Sequence, residues 1–98
     1  MPSIYTYTLN SASSGSAFIG TTRTVPIIEN NNRVGLTVIN ISGNFISLGL
    51  NASVVLYAGI TLMPGATWYM DDYSYMTGPI EAIASGADST LCFQEFIR

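Results

Sequence analysis

The sequence predicts an all-β fold, a small antiparallel β-sandwich of about eight short strands with a jelly-roll-like or an immunoglobulin-like strand order. Short runs of β-branched, aromatic and other apolar residues recur along the chain, and turn signals rich in Gly, Pro, Asn and Asp separate them. A spacing of roughly 8–12 residues between turns is typical of sandwiches and barrels. No stretch of about eleven residues shows the i, i+3, i+4, i+7 apolar spacing of an amphipathic helix.

The N-terminal part of the chain divides into three segments. Residues 3–9 (SIYTYTL) alternate apolar or aromatic residues with Thr, which favours a strand or an arm. Residues 10–16 (NSASSGS) are small and without periodicity, so we predict a flexible loop there. Residues 1–16 are therefore interpreted as an N-terminal strand or arm with its loop, and residues 17–98 as the β-sandwich domain. Pro26 lacks a backbone N–H, so a strand that contains it should lie at a sheet edge.

The middle of the chain contains the strongest strand pattern. Residues 33–41 (RVGLTVINI) have apolar side chains at alternating positions and are predicted as the central strand of a sheet. The tripeptide at 42–44 (SGN) is a tight-turn signal before 45–50 (FISLGL), which predicts a hairpin of these two strands.

The C-terminal half predicts four further strands. Residues 54–57 and 60–63 are short strands, and the Pro-Gly pair after residue 63 ends the second. Residues 80–84 and 91–97 are predicted as the last two strands and as a second hairpin.

Composition indicates one domain that associates with other subunits. The chain has 98 residues, of which 48% are hydrophobic and only 9% are charged. Soluble surfaces usually carry about 25–35% charged residues, so we expect part of this surface to be covered in a homo-oligomer. The alternative is a monomer that relies on Ser, Thr and Asn for its surface polarity.

Charge and hydropathy exclude several classes of partner. The net charge is −3, and three arginines are the only basic residues, so binding to nucleic acid is not expected. No apolar run approaches the roughly 20 residues that span a bilayer, so no membrane partner is expected. The N-terminus has no basic region followed by an apolar core, and synthesis in the cytoplasm is expected.

The residue types do not support catalysis or a cofactor. The chain has no His and one Cys, which excludes the ordinary zinc sites and the Ser/His/Asp and Cys/His constellations within one chain. Asp71 and Asp72 are interpreted as a solvated acidic turn in preference to a cation site. Cys92 lies in an apolar run and is predicted to be a buried thiol. We therefore expect a binding protein that is not an enzyme and has no metal or cofactor.

Four short motifs follow one another in a recognisable order. They are residues 33–40 (RVGLTVIN), 47–49 (SLG), 59–65 (GITLMPG) and 78–84 (GPIEAIA). In this order the chain resembles the small β-sandwich head decoration (cement) proteins of tailed bacteriophages, over roughly residues 33–96. The first thirty residues contribute nothing to the resemblance.

The resemblance implies a virion protein that binds the major capsid protein on the outer capsid surface and stabilises the shell. Such proteins are often trimers, so a homotrimer is the favoured oligomer. Two groups of residues are candidates for partner binding: Ile4, Tyr5 and Tyr7 on the arm, which could add a strand to a neighbour, and Trp68, Tyr69, Tyr73 and Tyr75 in the aromatic segment. The alternative is a carbohydrate- or receptor-binding module on the phage head or tail, with the second group as a stacking platform.

Overall fold

The computed structural model describes residues 11–70 and 76–98, and these residues form eight strands and no helix. The strands are β1 (Ser11–Ile19), β2 (Thr24–Ile27), β3 (Arg33–Asn40), β4 (Ile46–Leu50), β5 (Ile60–Leu62), β6 (Thr67–Met70), β7 (Ile80–Ala84) and β8 (Ser89–Ile97). They form two antiparallel four-stranded sheets: sheet A in the order β1-β8-β3-β6, and sheet B in the order β2-β7-β4-β5. The predicted all-β sandwich is confirmed.

The strand order identifies a jelly roll. Strands pair as β1 with β8, β2 with β7, β3 with β6 and β4 with β5, all antiparallel. The chain is therefore one long hairpin, with β4 and β5 at its tip, wrapped so that successive pairs alternate between the two sheets. Eight strands in this nested order make a jelly roll, which decides between the two predicted strand orders.

The core lies between the sheets and is filled by alternate residues of each strand. Sheet A contributes Leu36 and Val38 of β3 and Leu91 of β8, and sheet B contributes Ile46 and Leu48 of β4, all buried. The outward-pointing Thr37 and Ile39 of β3 are more exposed, because successive side chains of a strand point to opposite faces. The predicted alternation of this strand and its interior place in a sheet are confirmed, and Pro26 lies in the edge strand β2, as predicted.

Both predicted hairpins are wrong. Strands β3 and β4 lie in different sheets, and so do β7 and β8. The segments between them carry the chain from one sheet to the other across the same end of the sandwich. Turn residues such as those at 42–44 fix a local change of direction, but they do not determine whether the next strand pairs with the previous one or crosses to the opposite sheet.

The structure also differs from the prediction at residues 10–16. Ser11 to Ser16 belong to β1, which pairs with β8 over nine consecutive residues. The small residues fit this position: a Cβ atom on Gly15 would lie only 2.7 Å from the Phe93 ring. Small side chains here accommodate a neighbouring aromatic ring, whereas the sequence alone suggested flexibility.

Residues 54–57 are not a strand, in contrast to the prediction. This part of the chain forms a turn, in which Ala58 N donates a hydrogen bond to Val55 O at a distance of 3.0 Å. The predicted strand or arm at residues 3–9 lies outside the described residues.

Arg33 begins β3 and closes one end of the sandwich. Its side chain is fully buried, and its Nε donates to Glu95 Oε2 at 2.6 Å. Its two terminal nitrogens donate to the carbonyl oxygens of Met76, Gly78 and Ile28 at 2.8–2.9 Å. One guanidinium thus joins β8 to the β2–β3 and β6–β7 connections.

Asn40 ends the same strand and closes the opposite end. Its Nδ2 donates to Asn44 O at 2.6 Å and to Leu62 O at 2.9 Å, and its Oδ1 accepts from the N–H and the hydroxyl of Ser42. Its backbone N–H and C=O bond to Ala66 and Gly65. A fully buried amide is thereby satisfied, and the β3–β4 and β5–β6 connections are fixed to each other.

Substitution of Arg33 should be strongly destabilising. Arg33→Met removes the cation paired with Glu95, whose side chain is only 14% exposed and keeps just a 3.4 Å hydrogen bond from Asn30, and it removes the donor to three carbonyls. Breaking a buried ion pair from one side costs about 3–5 kcal/mol, so we expect a loss of this size in the free energy of unfolding measured in urea.

Arg23→Met is the matched control. Arg23 is more than half exposed and lies 3.9 Å from Glu81, so its loss should change the free energy of unfolding by less than about 0.5 kcal/mol. Equal effects of the two substitutions would contradict the role given to Arg33.

Candidate interaction surfaces

The outer face of sheet B is covered over its central strands, β4 and β7, by the chain's own β4–β5 connection, residues 51–59. Ser47 points outward from β4, yet it is fully buried and its hydroxyl accepts from Tyr57 N at 2.9 Å. Val54 N donates to Glu81 Oε1 of β7 at 3.1 Å, and the Val54 side chain is buried. Gly49 makes this packing possible, since a Cβ there would lie 2.5 Å from Ala52 O.

An aromatic pair lies on this covered face. The rings of Phe45 and Tyr57 are 5.6 Å apart between centroids and meet edge to face. Tyr57 remains 63% exposed. The pair packs the connection onto the sheet and leaves one tyrosine face toward solvent.

The outer face of sheet A has no such cover among the described residues. Alternation along its four strands places these residues on that face: Ala12, Ser14, Ser16 and Phe18 of β1; Thr90, Cys92, Gln94 and Phe96 of β8; Gly35, Thr37 and Ile39 of β3; Thr67 and Tyr69 of β6. None of these strand positions carries a charged side chain. Gln94 Nε2 donates to Ser14 Oγ across β1 and β8 at 3.1 Å, and a shallow depression lies beside this pair, between Thr37, Ile39 and Cys92.

The charged residues that the structure describes lie elsewhere. Arg33 and Glu95 pair at the end of the sandwich, and Arg23 approaches Glu81 on sheet B. Glu29 and Asp88 lie in connections between strands, and Arg98 follows β8. Within residues 11–70 and 76–98, the outer face of sheet A is therefore neutral and uncovered, and we call it the bare face of sheet A.

The structure separates two of the predicted partner-binding residues. Tyr69 is 67% exposed on the outer face of sheet A, opposite Thr37. Trp68, its neighbour on β6, points inward and packs against the core. Since the two side chains lie on opposite faces of one strand, they do not form a single platform.

The other predicted binding residues, Ile4, Tyr5, Tyr7, Tyr73 and Tyr75, lie outside the described residues. Sequence reasoning missed Phe18, the most exposed of the large hydrophobic side chains described. Its signal was present: Ile19 is apolar and buried, so its neighbour on a strand must point outward.

Cys92 differs from the predicted buried thiol. It is partly exposed and lies on the outer face of sheet A, opposite Ser16 of β1 and Ile39 of β3. The apolar neighbours that suggested burial, Leu91 and Phe93, point to the other side of the strand.

No group of three or more His, Cys, Asp or Glu side chains suited to a metal ion occurs within residues 11–70 and 76–98. Asp71 and Asp72, which the sequence predicts to form a solvated acidic turn, lie outside these ranges. The same part of the chain contains no helix long and apolar enough to cross a membrane.

Comparison with known proteins gives no relative. No protein-family model matches the chain, and no curated protein or solved structure is significantly similar to it. The described residues form an eight-stranded jelly roll in which sheet B is partly covered on its outer face and sheet A is not. The resemblance to phage decoration proteins stays a prediction.

The cover on sheet B can be tested through Gly49. Gly49→Ala forces the new methyl group against the backbone at Ala52 and Val54, so the connection must move. We expect a loss of about 1–3 kcal/mol in the free energy of unfolding, and faster proteolysis within residues 51–59.

Gly43→Ala is the control for this substitution. An added Cβ at Gly43 meets nothing within 4 Å, so stability should change by less than about 1 kcal/mol. If both variants unfold at the same urea concentration as the parent, residues 51–59 do not pack on Gly49 as described.

Proposed function

We propose that this protein is a non-enzymatic virion protein of a tailed bacteriophage that binds the outer surface of the capsid, as a homo-oligomer, and stabilises the shell. Its partners are then the major capsid protein and other copies of itself. The proposal draws on the motif resemblance and on one structural observation, the bare and uncharged outer face of sheet A.

The uncharged face supports docking on a protein because charged residues are depleted in the cores of protein interfaces. The exposed aromatic residues Phe18 and Tyr69 lie toward opposite edges of this face, on β1 and β6, with small neutral residues between them. Aromatic side chains bury large areas and often dominate binding energy. The row Ser14, Gln94, Thr37 and Tyr69 can lie against a relatively flat partner without leaving an unpaired charge.

The proposed mechanism is burial on a rigid support. A specific interface buries about 800 Å² on each partner, and buried apolar area contributes roughly 25 cal/mol per Å² before the costs of association. A ligand that binds only the assembled shell shifts the equilibrium against disassembly. Sheet A suits this role because its inner face is already anchored in the core through Leu36, Val38 and Leu91.

The jelly roll by itself does not select this function, because capsid proteins and lectins share the architecture. A sugar-stacking platform was the alternative, and it relied on Trp68 together with the tyrosines. Trp68 packs against the core, which leaves Tyr69 as the described member of that group on the surface. The broad neutral face therefore supports protein docking better than sugar stacking.

Two tyrosines provide a matched test of the docking face. Tyr69→Glu places a charge on the outer face of sheet A, and Tyr57→Glu places one on the covered face of sheet B, at a site of similar exposure. We expect the first substitution to weaken binding to capsids assembled without this protein by about 100-fold, and the second by less than about threefold. Binding is measured by co-sedimentation, and the fold of each variant by circular dichroism. Equal binding of both variants would contradict the assignment of the face.

The stoichiometry on particles tests the function itself. Quantitative mass spectrometry of density-purified phage should find this chain in copy numbers comparable with the major capsid protein. A handful of copies per particle would instead support a tail-associated receptor-binding module. Absence from particles would remove the virion proposal.

A further inference from the structure

No described strand pairs with the outer edge of β1, which we call its free edge, and this edge differs from the other described sheet edges. It is nine residues long, pairs with β8 without a register shift, and contains neither Pro nor a charged residue. Strand β2 is four residues long, contains Pro26 and has a register shift, and β5 and β6 are three and four residues long. Natural proteins protect sheet edges by short strands, Pro, bulges or charges, and β1 has none of these.

The hydrogen bonds identify which groups of β1 face the free edge. Asn40 directs its N–H and C=O toward the β6 side, whereas Ile41 N donates to Thr90 O of β8. Asn40 and Leu91 are therefore a non-hydrogen-bonded pair, and Leu91 directs its backbone groups toward β1.

Alternation along β8 and β1 then identifies the backbone groups of β1 that do not bond to β8. Ala17, Gly15 and Ser13, opposite Leu91, Phe93 and Glu95, bond to β8. The N–H and C=O groups of Ala12, Ser14, Ser16 and Phe18 point away from the sheet.

We propose that β1 is a self-association edge, where β1 of a second copy pairs antiparallel and joins two A sheets into one eight-stranded sheet. A two-fold axis at Gly15 uses every free group: Ala12 faces Phe18 of the partner subunit, and Ser14 faces Ser16 of the partner subunit. Gly15 then meets its own counterpart in a non-hydrogen-bonded pair, where the two backbones approach most closely.

The side chains favour a second copy over another partner. A two-fold contact must be self-complementary, and a neutral strand of small residues brings no like charges together. The Phe18 ring, 83% exposed, would lie over the small Ala12 of the partner subunit and beside Phe96 of the partner subunit, because Ala12 and Phe96 are cross-strand neighbours. The contact uses both β1 edges and closes, so it produces pairs and not open filaments.

This inference does not depend on capsid binding, since it concerns the purified protein alone. The first test is amide hydrogen exchange by NMR at low and high protein concentration. The amides of Ala12, Ser14, Ser16 and Phe18 should exchange at least about tenfold more slowly at high concentration. Those of Ser13, Gly15 and Ala17 should not change, because they bond to β8 in either state.

The second test is a proline at each edge of sheet A. Ser16→Pro removes a free N–H and blocks the partner strand without removing a bond to β8, so the dissociation constant from sedimentation equilibrium should rise about 100-fold. Thr67→Pro is the control on the opposite edge of sheet A. Val38 directs its backbone groups toward Trp68 of β6, so the adjacent residue, Thr67, directs its N–H away from β3 and this N–H is also free of the ladder. Thr67→Pro should leave association unchanged, and circular dichroism should show both variants folded.

Four results would overturn the inference. A protein that is monomeric at all concentrations excludes the contact. Association that Ser16→Pro does not weaken also excludes it, and this includes a trimer of the kind that the resemblance implies. Protection of the four amides in a protein that sedimentation shows to be monomeric would mean that the same chain covers the edge. Association lost on deletion of residues 1–9 would assign the edge to the N-terminal segment of another copy.

Discussion

Strand β3 is held at both ends by a buried polar side chain, and the connections at each end of the sandwich depend on these two residues. A loop that crosses between two sheets leaves backbone carbonyls that no ladder satisfies. Arg33 supplies donors to three of them at one end, and Asn40 to two at the other. An apolar side chain of similar volume would fill the space but leave these carbonyls unpaired, at a cost of about 1–3 kcal/mol each.

This arrangement explains how a chain of 98 residues keeps a wrapped topology. Small domains bury a modest share of their surface, so the core alone contributes limited stability. The nested hairpin has many long-range contacts, and its strands must be ordered across two sheets. Because Arg33 and Asn40 lie at the two ends of one interior strand, they attach the connections between the sheets to the centre of sheet A. This is also the sheet with the bare outer face.

The fold class and most strand positions could be predicted from the sequence, because alternation and turn residues are local signals. Which strands pair with each other could not be predicted. Residues 42–44 have the chemistry of a hairpin turn, yet Asn40 directs its amide into the crossing to sheet B, and no local pattern distinguishes these two outcomes. The fit of Gly15 beneath Phe93 was equally hidden, because the two residues are far apart in sequence.

The candidate surfaces show the same division between local and long-range information. Tyr69 and Trp68 are predicted together because aromatic residues cluster in this segment, but whether they share a face depends on the alternation of β6, which packs Trp68 against the core. The neutrality of sheet A was missed because its face combines alternate residues from four separate segments, each unremarkable in sequence. Low total charge is visible in the composition, but only the fold shows that the charged residues of the described part lie in the connections, at the end of the sandwich and on sheet B. The proposed β1 pairing uses backbone groups at the edge of sheet A, whereas the proposed docking uses side chains on its outer face, so the two contacts do not compete for the same groups.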